Sequence, residues 1–195
     1  MIEAKKINTS YQQAGNICMF ASYSIIINYF SKNIITHKDI YPKVIKQFPG
    51  FSKKIKTQLT TTHGNDRQKV VEDMISEKYH EYCRSNGDIR GFNYIANLHD
   101  TDALATKNYC KIKGKDAIKF GHIPENDRDQ LRDNLKMEGG LAMVLFPVSP
   151  NSHAVVIGFD TNDGYFIRDP NCNQIEFIDF LNTNDITEYI WFSNK

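Results

Sequence analysis

An apolar stretch near the start of the chain limits what this sequence can fold into. From Ile17 to Phe30 most residues are aliphatic or aromatic, and none is charged. A stretch without a polar face is expected to form a helix buried on most sides rather than an amphipathic surface helix. Such a helix needs a surrounding core, and 195 residues with 41% hydrophobic content can supply one within a single domain, without metal or disulfide support.

The first turn of this predicted helix carries a thiol. Cys18 would lie where the free N–H groups and partial positive charge of a helix N-terminus favour a thiolate. Gln12 stands six positions earlier and has a side-chain amide that can donate a hydrogen bond to a developing oxyanion. Gln13 is a neighbour that could take the same role, although the spacing favours Gln12.

A second segment, near the other end of the chain, supplies an imidazole and a carboxylate. His153 begins the run His-Ala-Val-Val-Ile-Gly, and Asp169 follows sixteen positions later in Arg-Asp-Pro-Asn. In nucleophilic acyl chemistry a thiolate attacks, an imidazole moves the proton, and a carboxylate orients the imidazole ring. The two segments together contain the groups that this chemistry requires.

Each of these residues also has an ordinary structural explanation when taken alone. A cysteine on an apolar helix is often a small buried hydrophobe, as Cys18 would be. His153 could be a core or edge histidine of a strand, and Asp169 could bond nearby backbone in a strand-ending turn. Their joint occurrence in this order, with Gln12 at its offset, favours the catalytic interpretation.

The remaining pattern predicts an α+β fold. Helices are expected at His37–Gln47, Asp66–Arg84, Asp88–Asn97 and Asp127–Glu138, the last ended by Gly139-Gly140. Strands are expected at Leu141–Pro147, His153–Phe159, Gly164–Arg168, Gln174–Ile178 and Ile186–Phe192.

Short connections between the predicted strands favour hairpins and hence a mainly antiparallel sheet. A helical part over about 1–138, with an irregular polar insertion at about 48–125, would pack on a sheet part over about 139–195. The expected cleft lies where these two parts meet.

Composition and motifs exclude several classes of function. A net charge of +1 with scattered Lys and Arg gives no basic stripe for nucleic acid. The four cysteines are irregularly spaced without a zinc-type cluster, and no phosphate loop or dinucleotide fingerprint occurs, so no metal and no organic cofactor are expected. No apolar run reaches the ~18 residues of a membrane span, and the N-terminus lacks a signal core.

The two motifs resemble those of the papain-like cysteine peptidase superfamily. The matching features are Gln12 before Cys18, the buried helix that starts at the thiol, His153 in His-Ala-Val-Val, and Asp169 in Asp-Pro-Asn. Within the superfamily the sequence is most similar to bacterial double-glycine leader peptidases and to papain-like effector peptidases. The resemblance covers about 6–30 and 131–180.

This resemblance implies a papain-like fold and a thiol hydrolase with a Cys-His-Asp triad. Cys18 would be the nucleophile, His153 its proton partner, Asp169 the residue that orients the ring, and Gln12 the oxyanion donor. The substrate would be a peptide or isopeptide bond of a protein or peptide. The resemblance further suggests a bacterial effector or toxin, either cytoplasmic or secreted into a host or target cell without a cleaved signal peptide.

Two alternatives remain open from the sequence. The same triad can transfer an acyl group to an amine or release ammonia from glutamine, so a transglutaminase or glutamine deamidase is one alternative. A catalytically silent papain-like binding module is the other. A reactive, low-pKa thiol would distinguish an enzyme from such a module.

Overall fold

Helices fill the first half of the chain and strands the second. A computed structural model describes residues 2–7, 13–31, 35–64, 66–87, 91–100, 111–112, 118–119, 125–148, 151–179 and 186–193. The helices are α1 (Cys18–Phe30), α2 (His37–Lys46), α3 (Phe51–Thr60), α4 (Asp66–Ser85), α5 (Phe92–Asp100) and α6 (Glu125–Met137), with a short 3-10 helix at Ala4–Lys6.

The strands form one sheet in the described part of the chain. They are β1 (Lys111–Ile112), β2 (Ile118–Lys119), β3 (Leu141–Val148), β4 (Asn151–Asp160), β5 (Gly164–Arg168), β6 (Ile175–Ile178) and β7 (Glu188–Ser193). Their order is β1-β7-β3-β4-β5-β6, with β2 also paired to β7, and all these pairings are antiparallel. The predicted combination of helices and an antiparallel sheet is confirmed.

The two faces of the sheet pack against different helices, because successive side chains of a strand point to opposite faces. Met143 and Val156 belong to the core formed with α1, whereas Val144 and Val155 belong to a second core that includes Leu131 of α6. The sheet therefore lies between α1 and α6. Helix α6, which the predicted division places with the helical part, packs on the face of the sheet opposite to α1.

Helix α1 is the centre of the first core. Nine of its thirteen residues are buried, among them Phe20, Tyr23 and Ile26. Helix α1 contacts β3 and β4 on one side and α2 and α5 on others. The expectation of a helix buried on most sides is confirmed, and its first residue, Cys18, therefore lies at the junction of helices and sheet.

The predicted insertion at about 48–125 contains helices α4 and α5, close to the helices predicted there, and one helix that was not predicted, α3. Within α3, Phe51 and Ile55 are four residues apart and both are buried, so they form one apolar helical face. The lysines between them, Lys53 and Lys54, are exposed. Helix α5 begins at Phe92, later than the predicted Asp88, which lies outside the described residues.

Two turns form at the glycines where the sequence predicts a helix end and a hairpin. Helix α6 ends at Met137, and Gly139 then adopts a φ of 66°, a left-handed conformation that glycine accepts without strain. Gly164 closes the turn between β4 and β5 with a φ of 89°. In the described segments, no helix combines the length and the apolar character needed to cross a membrane.

Candidate active site

A cleft of about 1130 Å³ opens between the start of α1, helix α4 and the ends of the central strands. Cys18 and His153 both line it, together with Leu145 and Pro147 of β3. Helix α4 contributes one wall through side chains that recur at helical spacing. These residues are Lys69, Asp73, Ser76, Glu77, His80 and Arg84.

His153 lies beside both other members of the predicted triad. Its Nε2 lies 2.7 Å from Oδ1 of Asp169, and the side chain of Cys18 is close enough to the ring to contribute to its raised pKa. The side-chain nitrogen of Asn171 lies 3.2 Å from the same Nε2.

The charges around the ring favour an imidazolium. The hydrogen bond to Asp169, followed by the one to Cys18, raises the pKa of His153 to about 9. Burial alone would raise the pKa of Asp169, but hydrogen bonds from His153 and the Asn171 backbone N–H outweigh it and lower this pKa below its usual value. The side chains of His153 and Asp169 are only 20% and 33% exposed, so solvent screens the pair less than it would a surface pair.

One buried hydrogen bond sets the position of α1 against β4. Ser22, one turn after Cys18, donates from Oγ to the carbonyl oxygen of Ala154 at 3.0 Å, and Ala154 is the neighbour of His153. This bond connects the two elements that carry the thiol and the imidazole. It therefore restricts sliding of the helix along the strand at the point where the two groups must meet.

A buried arginine stabilises the turn that carries Asp169. Arg168 is fully buried, and its guanidinium donates to the carbonyl oxygens of Asp169 and Cys172 at the two ends of the turn. The backbone N–H of Asn171 donates to Oδ1 of Asp169 at 2.7 Å. The carboxylate is thus fixed both through its own oxygen and through the backbone of its turn.

The loop before Cys18 is attached to both neighbouring elements. Its start contacts the turn that follows β5, because the backbone N–H of Gln13 donates to the carbonyl of Pro170 at 3.2 Å. Its middle contacts α4, because the N–H groups of Ala14 and Gly15 both donate to Oε2 of Glu72 at 2.7 Å.

The predicted oxyanion donor, Gln12, lies outside the described residues. Gln13 does line the cleft, and its side-chain Oε1 is buried without a hydrogen-bond partner among the described residues. Cys18 opens α1, so its own backbone N–H has no acceptor within the helix. The described part of the site therefore contains the Gln13 amide and the N-terminus of α1.

The sequence patterns do not single out three buried residues that support the site. Ser22 was one hydroxyl in an apolar stretch, Arg168 was quoted only as part of a motif, and Glu72 was one acid among many on a charged helix. The contacts of Ser22 and Glu72 reach partners 132 and 58 positions away, and no local pattern marks them. In the described segments no group of three or more His, Cys, Asp or Glu could hold a metal ion.

Comparison with known proteins gives little beyond this geometry. No protein-family model matches the sequence, and no curated protein sequence does. A solved structure, titled as that of the Pseudomonas avirulence protein AvrPphB, is similar over 78% of this chain and 92% of that chain, with a TM-score of 0.35 and 12% identity. A structural similarity at this TM-score and identity gives no information on function.

Proposed function

We propose that this chain is a papain-like cysteine protease that cleaves a peptide or isopeptide bond of a protein substrate. The observation that carries the proposal is the position of His153 in the cleft, bonded to Asp169 and lining the same cleft as Cys18, which contributes to the raised pKa of the ring. Cys18 is the nucleophile, His153 the acid and base, and Asp169 the residue that orients the ring. The same three residues were selected from the sequence.

The proposed reaction proceeds through an acyl-enzyme. His153 accepts the thiol proton, and the thiolate of Cys18 attacks the carbonyl carbon of the scissile bond. The imidazolium then gives its proton to the departing amine as the C–N bond breaks, which leaves a thioester on Cys18. His153 next takes a proton from water, the hydroxide attacks the thioester, and the C–S bond breaks to release the acid and restore the thiol.

The negative charge that develops on the carbonyl oxygen needs donors close to Cys18. The backbone N–H of Cys18 is one, because it projects from the helix N-terminus. The second is a side-chain amide, which we assign to Gln12 on its spacing, with Gln13 as the described alternative. Removing one such donor typically costs about a hundredfold or more in rate.

The shape of the cleft supports a chain-like substrate. Its α4 wall runs from Lys69 to Arg84, sixteen residues that span roughly 23 Å at the helical rise of about 1.5 Å per residue. That length matches about seven residues of extended polypeptide at roughly 3.3 Å each. The lining also includes Leu145 and Pro147 of β3, so the substrate would contact charged side chains of α4 and apolar side chains of β3.

Incubation with a proteome-derived peptide library, read by mass spectrometry, tests the proposed activity. The proposal predicts new peptide termini that are absent with Cys18→Ala and with His153→Ala. Conversion of Gln to Glu, or crosslinking of Gln to amines, without new termini would instead assign deamidase or transglutaminase chemistry to the same residues. No change with the wild-type chain, together with an unreactive Cys18, would contradict the proposal and favour a binding module.

A further inference from the structure

Glu72 of α4 is a buried carboxylate that the reaction itself does not use. Its two oxygens have separate partners. Oε2 accepts from the backbone N–H groups of Ala14 and Gly15 in the loop before Cys18, each at 2.7 Å. Oε1 faces the helices, and it accepts from His37, Tyr41 and Gln68 at 3.1, 2.9 and 2.7 Å.

This arrangement requires an ionised carboxylate, since five donors converge on two oxygens. The Glu72 side chain is fully buried, and burial alone would raise its pKa. Hydrogen bonds from His37, the loop N–H groups and Gln68 outweigh that effect and lower the pKa to about 2. A buried charge bonded in this way holds its partners in place, because each of them would lose a charged acceptor on moving away.

The neighbouring residue extends the same contact. Oδ1 of Asp73 accepts from the backbone N–H of Asn16 at 3.0 Å, so three consecutive N–H groups of the loop bind carboxylates of α4. Gly15 allows this close approach. A Cβ at that position would lie 2.7 Å from Oδ1 of Asp73 and 2.8 Å from Cβ of Glu72.

We propose that Glu72, assisted by Asp73, is a positioning residue for the reaction of Cys18. The two carboxylates bind the loop at Ala14–Asn16, two residues before the nucleophile, and thereby set the distance and orientation of Cys18 relative to His153. Helix α4 thus has two roles, as a wall of the cleft and as the anchor of the loop. This inference rests on the proposed function, because it assigns a role within that reaction.

The test measures the rate of Cys18 alkylation by iodoacetamide against pH, per folded molecule, in the wild type, Glu72→Gln and Asp73→Ala. If Cys18 shifts away from His153 in Glu72→Gln, alkylation begins to rise at a higher pH, closer to the pH at which a free thiol reacts. The alkylation rate at pH 6 then falls about tenfold. Loss of a negative charge alone would favour the thiolate and move this rise to a lower pH. The direction therefore separates positioning from simple electrostatics.

Two controls separate positioning from a general loss of stability. Asp73→Asn keeps a carbonyl acceptor for the N–H of Asn16 while removing the same charge as Asp73→Ala, so it should restore most of the rate. Tyr94→Phe is a control at another place in the helical part, because it removes a partly buried hydroxyl that donates to the side chain of Gln47. It should leave the alkylation rate per folded molecule unchanged. If Glu72→Gln does not fold, the Asp73 pair and Gly15→Ala, which crowds the same contact, provide the test.

The outcomes distinguish this inference from the proposed function. Fast alkylation of the wild type at pH 6 with an upward shift in Glu72→Gln or Asp73→Ala supports both. Fast alkylation of the wild type with unchanged or downward-shifted profiles in these variants overturns the positioning role alone. A wild type that reacts as an ordinary thiol overturns the proposed function, and the positioning role with it.

Discussion

At the scale of single residues, His153 is the group on which the others depend. Its ring is bonded to a carboxylate at Nε2 and lines the same cleft as the Cys18 thiol, so we expect it to exchange a proton with that thiol. Asn171 adds a further polar contact at the carboxylate side of the ring. The protonation state of this ring therefore determines the pH range of any reaction in the cleft.

We predict that His153 stays protonated to about pH 9 and that Asp169→Asn lowers its pKa by about one unit or more, because Asp169 is the main cause of the upward shift. NMR titration of the ring protons, assigned with His153→Ala, measures this directly. The raised pKa also stabilises the fold below about pH 6.5, and this contribution is lost as the pH rises through about 9. An unshifted His153 in the wild type would contradict the site geometry.

The oxyanion donor can be assigned with two neighbouring variants. Gln12→Ala should lower the rate of peptide cleavage about a hundredfold and leave iodoacetamide alkylation of Cys18 unchanged, because alkylation forms no oxyanion. Gln13→Ala serves as the matched comparison. If only Gln13→Ala shows this combination, the donor is Gln13, and the assignment from spacing is wrong.

The sequence marks the proposed reactive groups more clearly than the residues that support them. Cys18, His153 and Asp169 stand in recognisable local motifs, and the structure brings them together. Ser22 and Glu72 contact partners 132 and 58 positions away. Their roles depend on how helices and sheet pack, and a local pattern contains no such information.

At the scale of elements, the site depends on how α1 lies against β4. Helix α1 is almost entirely apolar, so dispersion and hydrophobic contacts hold it to the sheet without specifying its position along the strand. The buried hydrogen bond from Ser22 to the carbonyl of Ala154 supplies that specificity.

We predict that Ser22→Ala lowers the free energy of unfolding by about 1 kcal/mol and also slows Cys18 alkylation at pH 6, since α1 can then shift along β4. Ser193→Ala is the matched control, because Ser193 is equally buried, donates to the carbonyl of Gly139 and does not line the cleft. It should cost a similar free energy in urea unfolding without slowing alkylation. Equal alkylation rates in both variants would contradict the role of Ser22 in alignment.

Element types were more predictable than their arrangement. Strands β3, β4 and β5 were located within a few residues, because β-rich runs alternate there with short turns. Helix α3 was missed, since its lysines masked the four-residue spacing of Phe51 and Ile55. The packing of α6 on the far face of the sheet follows from tertiary contacts and has no local signal.

At the scale of the whole molecule, a series of polar contacts connects the helical part to the sheet part. Glu72 binds α2, α4 and the loop before α1, while Arg168 holds the turn that follows β5. The loop and this turn meet at the hydrogen bond between Gln13 and Pro170. The stability of the fold and the position of Cys18 therefore depend on the same contacts. Protonation of the carboxylates at low pH should weaken these contacts.

We predict that Glu72 contributes about 3 kcal/mol of stability above about pH 5, which is lost as the pH falls toward about 2. The sign follows from its depressed pKa, because the unfolded carboxyl binds a proton before the folded one does. Urea unfolding at several pH values should show a shallower acid slope in Glu72→Gln than in Glu81→Gln, an exposed acid of the same helix. Equal slopes would contradict this contribution.

The central claim, that Cys18 and His153 form a reactive pair, is tested most directly by one measurement. The rate of Cys18 alkylation by iodoacetamide should be followed against pH in the wild type and His153→Ala, with Cys18→Ala and mass spectrometry to locate the label. We predict fast labelling of Cys18 well below pH ~7 that is lost in His153→Ala. A wild-type profile that rises only near the free-thiol value of about 8.5, or an inert Cys18, would contradict the account.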